Sequence, residues 1–408
     1  MSILDDALAL TGSLVDLRHR LHQRPEIGLD LPLTQRTVLS ELDGLGLEIT
    51  TGRSCTSVTA VLRGGADPGP GGPRRPTVLL RGDMDALPVQ EEVEVPYRSQ
   101  VPGVMHACGH DLHTTMLVGA ARVLAARRED LPGDVIFMFQ PGEEGFDGAS
   151  KMIAEGVLDV TGERPQAAYA LHVMSSLTPR GTVISRPGPL MAASDGLSVT
   201  VRGRGGHGSS PQTAADPIPA ACEMVLALQT ALSRTVSAFD SVVLTVGSLH
   251  AGTKRNVIPD TACFEATLRT FSPTVRDLVV ATAERVCQGV AAAHGVGVEV
   301  RFEAEYPVTV NDAVETAFAL GVAEELSGRD RVFQMDYPIA GAEDFSRVLA
   351  EVPGVMLFLG AMTQDTDPTL APTIHSPRAS FDDGVLPQGT ALLATLATRR
   401  LSCELARD

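Results

Sequence analysis

The fold is constrained most by a change in the predicted order of strands and helices near the middle of the chain. From Ser194 onward the sequence predicts strands and helices in the order βαββαβ, which is the ferredoxin-like pattern and is complete in roughly 110 residues. The predicted elements are strand 196–202, helix 213–236, strands 241–249 and 261–270, helix 273–294 and strand 296–304. A complete unit of this kind within a longer chain indicates an inserted domain.

The segments on either side alternate strand-like and helix-like patterns, which is typical of an α/β architecture with a mostly parallel sheet. Predicted strands are 57–62, 77–81, 135–140, 167–173 and 355–359, and predicted helices are 33–45, 113–127, 148–155, 313–326 and 388–400. A chain of 408 residues exceeds what one core usually serves. We therefore expect 1–193 and 309–408 to form one domain, with 194–308 inserted into it.

The charge of the chain restricts its partners. It has 33 basic and 50 acidic residues, a net charge of −17, which repels nucleic acid and anionic membranes. We expect neither as a partner and expect a small-molecule substrate. The first 20 residues read as an amphipathic helix rather than a signal peptide, and no run of about 18 apolar residues occurs. Six scattered cysteines favour reduced thiols in the cytoplasm.

Polar residues that can bind metal follow four of the predicted strands. Asp85 follows the strand 77–81, the pair Glu143–Glu144 follows the strand 135–140, and His172 closes the strand 167–173. His375 comes after a late strand and a loop. Ligands of open α/β sheets gather beyond the carboxyl ends of strands, so this distribution indicates an active site.

The densest cluster is the segment 106–113, HACGHDLH, with three histidines, one cysteine and one aspartate. Chance, a structural zinc site and a catalytic metal site would each produce such a segment. A structural site normally uses four ligands with paired spacing, and Cys108 has no nearby cysteine. Cys108 and His110 are two residues apart, so an extended turn directs both to one side. Thiolate and imidazole suit Zn²⁺ and tolerate Mn²⁺.

Other residues around this cluster are candidates for supporting roles. Asp85 and Asp111 are natural carboxylates to orient a ligating imidazole through its second nitrogen. His113 begins a predicted helix and is equally a capping or a surface residue. His106 is undecided, with a slight preference for a supporting role.

The Glu143–Glu144 pair lies in a Pro-Gly-Glu-Glu-Gly turn. Two buried adjacent carboxylates repel each other, and a metal centre resolves that conflict if one ligates while the other faces a water molecule. A solvated acidic turn is the alternative interpretation of the dipeptide alone.

The predicted inserted domain offers three weaker candidates. His207 lies in the Gly-rich loop 203–211, which lacks the spacing of a phosphate-binding loop. Considered alone, His207 is an ordinary loop residue, Asn256 part of a hairpin connection and Arg269 a surface cation.

Taken together, the motifs resemble the aminoacylase and peptidase family that includes hippurate hydrolase, bacterial N-acyl-amino-acid amidohydrolases and plant auxin-conjugate hydrolases. The matching segments span the chain in family order. They are RGDMDALPVQE (81–91), MHACGHDLHTTMLVGAA (105–121), QPGEEGFDGASKMI (140–153), ALHV (170–173), GRGGHGSSP (203–211), NVIPD (256–260), AGAEDFS (340–346) and IHSP (374–377).

The resemblance implies a mixed-sheet dinuclear metallopeptidase-like catalytic domain carrying a ferredoxin-like lid and dimerisation domain, and hence a homodimer. It implies two divalent ions, Zn²⁺ or Mn²⁺, with Glu143 as general base and acid. The implied metal ligands are Cys108, His110, Glu144, His172 and His375. It further implies that His207 stabilises the oxyanion and that Asn256 and Arg269 hold the substrate.

The expected activity is hydrolysis of the amide bond of N-acyl amino acids by water activated between the two ions. The first alternative is a carboxypeptidase or dipeptidase acting on unblocked peptides, for which no acid that would bind the substrate ammonium is evident. The second is a non-catalytic protein that retains a metal site, and the intact Glu143 argues against it.

Overall fold

A computed structural model describes residues 2–66, 75–363, 367 and 370–403. Its helices, numbered in chain order, are α1 (Ile3–Ala9), α2 (Thr11–His22), α3 (Pro32–Leu42), α4 (His110–Ala126), α5 (Gly148–Ala154), α6 (Pro217–Thr235), α7 (Pro273–His294), α8 (Ala313–Ser327), α9 (Ser346–Leu349) and α10 (Leu386–Leu401). In these segments no helix is long and apolar enough to cross a membrane.

The strands are likewise numbered in chain order. They are β1 (Glu48–Thr51), β2 (Val58–Leu62), β3 (Thr77–Asp83), β4 (Asp134–Gln140), β5 (Ala167–Met174), β6 (Val183–Ser185), β7 (Gly188–Met191), β8 (Ala193–Arg202), β9 (Gly206–His207), β10 (Val242–Ala251), β11 (Val257–Ile258), β12 (Thr261–Thr270), β13 (Gly297–Tyr306), β14 (Thr309–Asn311), β15 (Val332–Gln334) and β16 (Gly354–Gly360).

The chain divides into two compact units. The first consists of Met1–Leu190, Val310–Tyr337 and Asp344–Asp408, and the second of Met191–Thr309 and Pro338–Glu343. The short segment Pro338–Glu343 belongs to the second unit, where the backbone nitrogen of Ala192 donates to the carbonyls of Ile339 and Gly341. The boundaries predicted from the sequence place these six residues in the domain of the flanking segments instead.

The first unit is built on an eight-stranded mixed sheet of order β1-β2-β4-β3-β5-β16-β6-β15. The central strands β4, β3, β5 and β16 are mutually parallel, whereas β2 and β6 run antiparallel to their neighbours in this group. β2, β3, β4, β5 and β16 are buried along their whole length, as their continuous apolar runs predict. Helices α4 and α10 pack on this sheet and on each other. The α/β class with a mixed sheet is confirmed.

The second unit has a four-stranded antiparallel sheet of order β10-β12-β8-β13. Helices α6 and α7 cover one face, and their apolar stripes meet the inward side chains of β8 and β12. β12 alternates exposed and buried residues along its length, as expected for a sheet with one covered face. The chain order of the long elements, β8-α6-β10-β12-α7-β13, is the predicted βαββαβ. A two-stranded ribbon of β9 and β11 carries His207.

Candidate metal centre

Three parallel strands of the first unit end at one edge of the sheet, and each leads into a predicted site segment. β3 ends at Asp83, just before Asp85, and β4 ends at Gln140, just before the Glu143–Glu144 turn. β5 carries His172 near its carboxyl end. The parallel direction of the strands therefore brings these side chains together, as the strand-end rule predicts.

Cys108 and His110 reach this edge through a turn that only glycine makes easily. Gly109 precedes α4 with a φ of +87°, a left-handed conformation that disfavours residues with a side chain. A Cβ atom at Gly109 would also lie 2.4 Å from Cγ2 of Val173. His110 is the first residue of α4, so the helix begins three residues earlier than the sequence predicted.

Five side chains form two groups that share Cys108. The ligand atoms of Cys108, His110 and His172 lie within 4.8 Å of one another, and so do those of Cys108, Glu144 and His375. Cys108 Sγ is 3.4 Å from His172 Nε2, and Glu144 Oε1 is 3.1 Å from His375 Nε2. These are the five residues that the family resemblance implied as metal ligands.

Hydrogen bonds to the Asp85 carboxylate hold the backbone of the Glu143–Glu144 turn. The two oxygens of this buried carboxylate accept the backbone N–H of Glu143 at 2.9 Å and that of Glu144 at 3.1 Å. Asp85 Oδ1 also lies 3.5 Å from His110 Nδ1, at the outer limit of a hydrogen bond. One carboxylate thus fixes the general-base candidate, one ligand candidate and the edge of an imidazole.

His375 occupies a strained position on a loop. Its φ is +66°, which is uncommon for a residue with a side chain, and its backbone nitrogen donates to the carbonyl of Ala107 at 3.0 Å. That bond ties the loop to the segment that carries Cys108. Strain maintained by such contacts concentrates at functional sites.

The electrostatics of the cluster favour a cation. Burial raises the pKa of the Cys108 thiol well above its usual range, and the nearby carboxylates of Glu144 and Glu143 raise it further. Burial disfavours a charged His110, yet Asp83, Asp85 and Glu144 together raise its pKa to about 10. Neither ring nitrogen of His110 makes a hydrogen bond of good geometry with any described residue, although the ring is buried. A bound cation would therefore be stabilised here. Divalent metal ions bind this combination of a thiol, imidazoles and carboxylates.

Asp83 and His113 are two further buried residues of this region. The sequence predicts no role for Asp83 and a capping or surface position for His113. Asp83 Oδ1 is 2.6 Å from His113 Nδ1, and the backbone N–H of Val173 donates to His113 Nε2 at 2.8 Å. His113 is only 2% exposed, so it is neither a helix cap nor a surface residue. The spacing of Asp83 and Asp85 could have revealed Asp83, because residues two apart at a strand end point the same way.

The expectation that Asp111 orients a metal-ligating imidazole is wrong. Its Oδ2 accepts from Arg18 Nε and faces His22 Nδ1, each at 2.8 Å, and both partners belong to α2. As the second residue of α4, Asp111 faces this neighbouring helix, so it joins two helices. His106 is buried beside this cluster, and neither of its ring nitrogens has a hydrogen-bond partner in the segments that the structure describes.

The second unit holds the other three predicted residues. His207 is exposed on β9, and its Nδ1 accepts the backbone N–H of Ser209 at 3.2 Å. A neutral ring with that acceptor carries its proton on Nε2, which is then a hydrogen-bond donor. Asn256 is exposed beside His207, and the backbone carbonyl of Asn256 accepts the backbone N–H of Gly208 at 2.9 Å.

Arg269 lies on β12 of the four-stranded sheet, near the end opposite to the ribbon of β9 and β11. β11 leads directly into Thr261 at the start of β12, and β9 follows Arg202 of β8, which pairs with Thr261. Arg269 is eight residues farther along β12, opposite Ser194. Eight steps of about 3.3 Å separate the two ends by about 26 Å. Arg269 donates to the Thr267 hydroxyl and the Leu268 carbonyl, and it has no carboxylate partner among the described parts of the chain. By this register, Arg269 and the ribbon that carries His207 lie at opposite ends of the four-stranded sheet of one chain.

Together, the mixed α/β sheet and a thiolate–imidazole–carboxylate cluster with an adjacent glutamate define a metal-dependent amide hydrolase. The family model described as "Peptidase family M20/M25/M40" matches residues 79–399 of this chain. The chain belongs to this family.

Individual relatives are consistent with that assignment. The IAA-amino acid hydrolase ILR1-like 4 of Arabidopsis thaliana is 38% identical over 392 residues, which cover 95% of this chain and 86% of the relative. Thermostable carboxypeptidase 2 of Saccharolobus solfataricus is 34% identical and covers 97% of each chain. The crystal structure of the Bacillus subtilis protein YXEP, described as a dinuclear metal binding peptidase from the M20 family, superposes with a TM-score of 0.82. The two sequences are 31% identical, and the match covers 97% of this chain and 99% of the YXEP chain.

Proposed function

We propose that the protein hydrolyses the amide bond of N-acyl amino acids, with Glu143 as the general base and acid. The observation that carries the proposal is that Cys108 belongs to both ligand groups, with Glu143 directly beside the ligand candidate Glu144. This arrangement supports two cation positions, and we assign Glu143 to proton transfer.

Two divalent ions fit the five donors. Cys108, His110 and His172 would hold one ion, and Cys108, Glu144 and His375 the other, so that the thiolate is shared. When bound, the ions polarise the substrate carbonyl and lower the pKa of a water molecule towards neutrality. The thiolate favours Zn²⁺ by softness, and the nitrogen and oxygen donors suit Mn²⁺ as well.

The protein's own groups move the proton and bind the substrate. Glu143 takes a proton from the attacking water and delivers it to the amide nitrogen as the C–N bond breaks. The turn that presents this carboxylate is fixed by Asp85. His207, with its proton on Nε2, donates to the carbonyl oxygen as that oxygen gains negative charge.

The substrate carboxylate is assigned to Arg269, and Asn256 assists near His207. An N-acyl amino acid of two residue lengths spans about 7 Å, much less than the separation of His207 and Arg269. We therefore assign these two residues to different active sites of a homodimer, so that each site receives one of them from the partner copy. The edge strand β10 and Leu226, which is 70% exposed on α6, suit such an interface in the inserted lid domain.

A cytoplasmic location accompanies this proposal. No disulfide joins any of the six cysteines, all of which lie in the described segments, and this suits a reducing compartment.

A substrate comparison tests the proposed activity. We expect metal-loaded protein to hydrolyse benzoyl-glycine and N-acyl-glutamine, and to lose this activity on treatment with a chelator and regain it with Zn²⁺ or Mn²⁺. Glycyl-glutamine, which has a free amino group, serves as the matched unblocked substrate. A clear preference for the unblocked dipeptide would favour a peptidase instead, the alternative that similarity to a carboxypeptidase supports.

A further inference from the structure

We propose that His113, held by Asp83, is a positioning residue that aims the metal ligand His172 through the backbone of Val173. This inference rests on the proposed two-ion centre and adds the residues that set the direction of one of its ligands. Neither Asp83 nor His113 belongs to the two ligand groups that share Cys108.

The backbone of Val173 connects the two imidazoles. Its N–H donates to His113 Nε2 at 2.8 Å, and its carbonyl accepts from His172 Nδ1 at 2.7 Å. The ladder between β3 and β5 ends at the pair Arg81 and Ala170, three residues earlier. Beyond that pair, the imidazoles of His113 and His172 form hydrogen bonds with the N–H and the carbonyl of Val173.

These hydrogen bonds determine which nitrogen of each ring carries the proton. A backbone N–H only donates, so His113 Nε2 must accept, and the ring proton lies on Nδ1, facing Asp83 at 2.6 Å. A backbone carbonyl only accepts, so His172 carries its proton on Nδ1. His172 Nε2 is therefore the acceptor of its ring and lies 3.4 Å from Cys108 Sγ, its partner in the ligand group that would hold one ion.

A buried ion-pair network fixes Asp83 in turn. Arg81 Nη1 donates to Asp83 Oδ2 at 2.5 Å, Arg81 Nη2 donates to Asp344 at 3.0 Å, and Arg81 Nε donates to Gln140 at 2.9 Å. All four side chains are at most 3% exposed. The position of His113 is therefore set by a rigid support rather than by solvent.

The same contacts show why His113 positions a ligand and does not ligate. Ligand atoms of Asp83, His110 and His113 also lie within 4.8 Å of one another, which would suit a further cation. Both ring nitrogens of His113 are already engaged, one with Asp83 and one with Val173. A third ion bound by His113 would have to displace either its contact with Asp83 or a buried backbone hydrogen bond.

Two amide substitutions separate positioning from packing. In His113→Gln, the longer amide reaches the Nε2 position and still offers Val173 an acceptor. In His113→Asn, the shorter amide reaches only the Nδ1 position, so it keeps the Asp83 contact and leaves the Val173 N–H unpaired. Titration of metal-free protein with Co²⁺, followed by its visible spectrum and the cysteine-to-cobalt absorption, counts ions and measures each affinity without an activity assay.

We expect wild-type protein to bind two Co²⁺ ions and His113→Asn to bind one of them about 10- to 100-fold more weakly. His113→Gln should stay within about threefold of wild type. Asp83→Asn, which frees His113 to adopt the other tautomer, should resemble His113→Asn. Thermal melting of each metal-free variant verifies folding, and Asp83→Asn takes the place of His113→Asn if that variant does not fold.

Unchanged binding of both ions in His113→Asn would overturn the inference, and so would equal weakening in the Asn and Gln variants, because equal weakening reports packing alone. If wild-type protein did not bind two ions, the proposed function itself would fail. The wild-type titration therefore distinguishes the two failures.

Discussion

At the scale of single residues, the centre depends on carboxylates with separate tasks. Asp85 accepts from the backbone of Glu143 and Glu144, and Asp83 faces His113. The residue types and their order along the chain were sufficient to predict, through family resemblance, five candidate ligands whose donor atoms the structure brings into two groups. The partners of Asp83 and Asp111 were not predictable, because they depend on residues such as Arg18 and His113 that lie elsewhere in sequence or on another face of a helix.

The role of Asp85 leads to a residue-scale prediction. Asp85→Ala removes the acceptor for two buried N–H groups, so the turn that carries Glu143 should relax and turnover should fall about 100-fold or more. Asp85→Asn keeps one acceptor oxygen and should lose less. Steady-state kinetics on metal-saturated protein measure both, and equal turnover in wild type and Asp85→Ala would refute this role.

At the scale of elements, the parallel strands and the start of α4 bring distant ligands together. Strand and helix types followed from apolar runs, and strand β12 and helix α7 have the predicted bounds. The start of α4 did not, because it depends on the left-handed conformation of Gly109 and on its close approach to Val173, a residue of another strand.

Gly109 gives the element-scale prediction. Gly109→Ala adds a backbone cost of about 1 kcal/mol or more at its positive φ and a clash with Val173, so the free energy of unfolding should fall by about 3 kcal/mol or more. Gly103 has a φ of +75°, and a Cβ atom added there would meet nothing within 4 Å, so Gly103→Ala carries the backbone cost alone. Chemical denaturation of the metal-free variants compares them. An equal loss in both would contradict the proposed close contact.

At the scale of the whole molecule, the activity is proposed to require two copies of the chain. The order of elements predicted both the α/β class and the βαββαβ unit, because each depends on local hydrophobic patterns and chain order. The separation of His207 and Arg269 was not predictable, since the ribbon with His207 follows one end of the paired strands β8 and β12 while Arg269 lies near their other end.

Mixed dimers test this arrangement. His207→Ala and Arg269→Ala should each be nearly inactive alone. If each site combines residues from both copies, mixing the two variants with exchange of subunits creates one intact site per mixed dimer and restores about a quarter of wild-type activity. If both residues serve the site of their own chain, mixing restores nothing.

The most direct test of the account is Glu143→Gln, measured for metal content and for turnover of an N-acyl amino acid in the same preparation. The substitution keeps the size of the side chain and removes the group that accepts the proton. We expect two bound ions per chain, as in wild type, with turnover lowered by about 1,000-fold or more. Near-normal turnover in protein that holds both ions would contradict it.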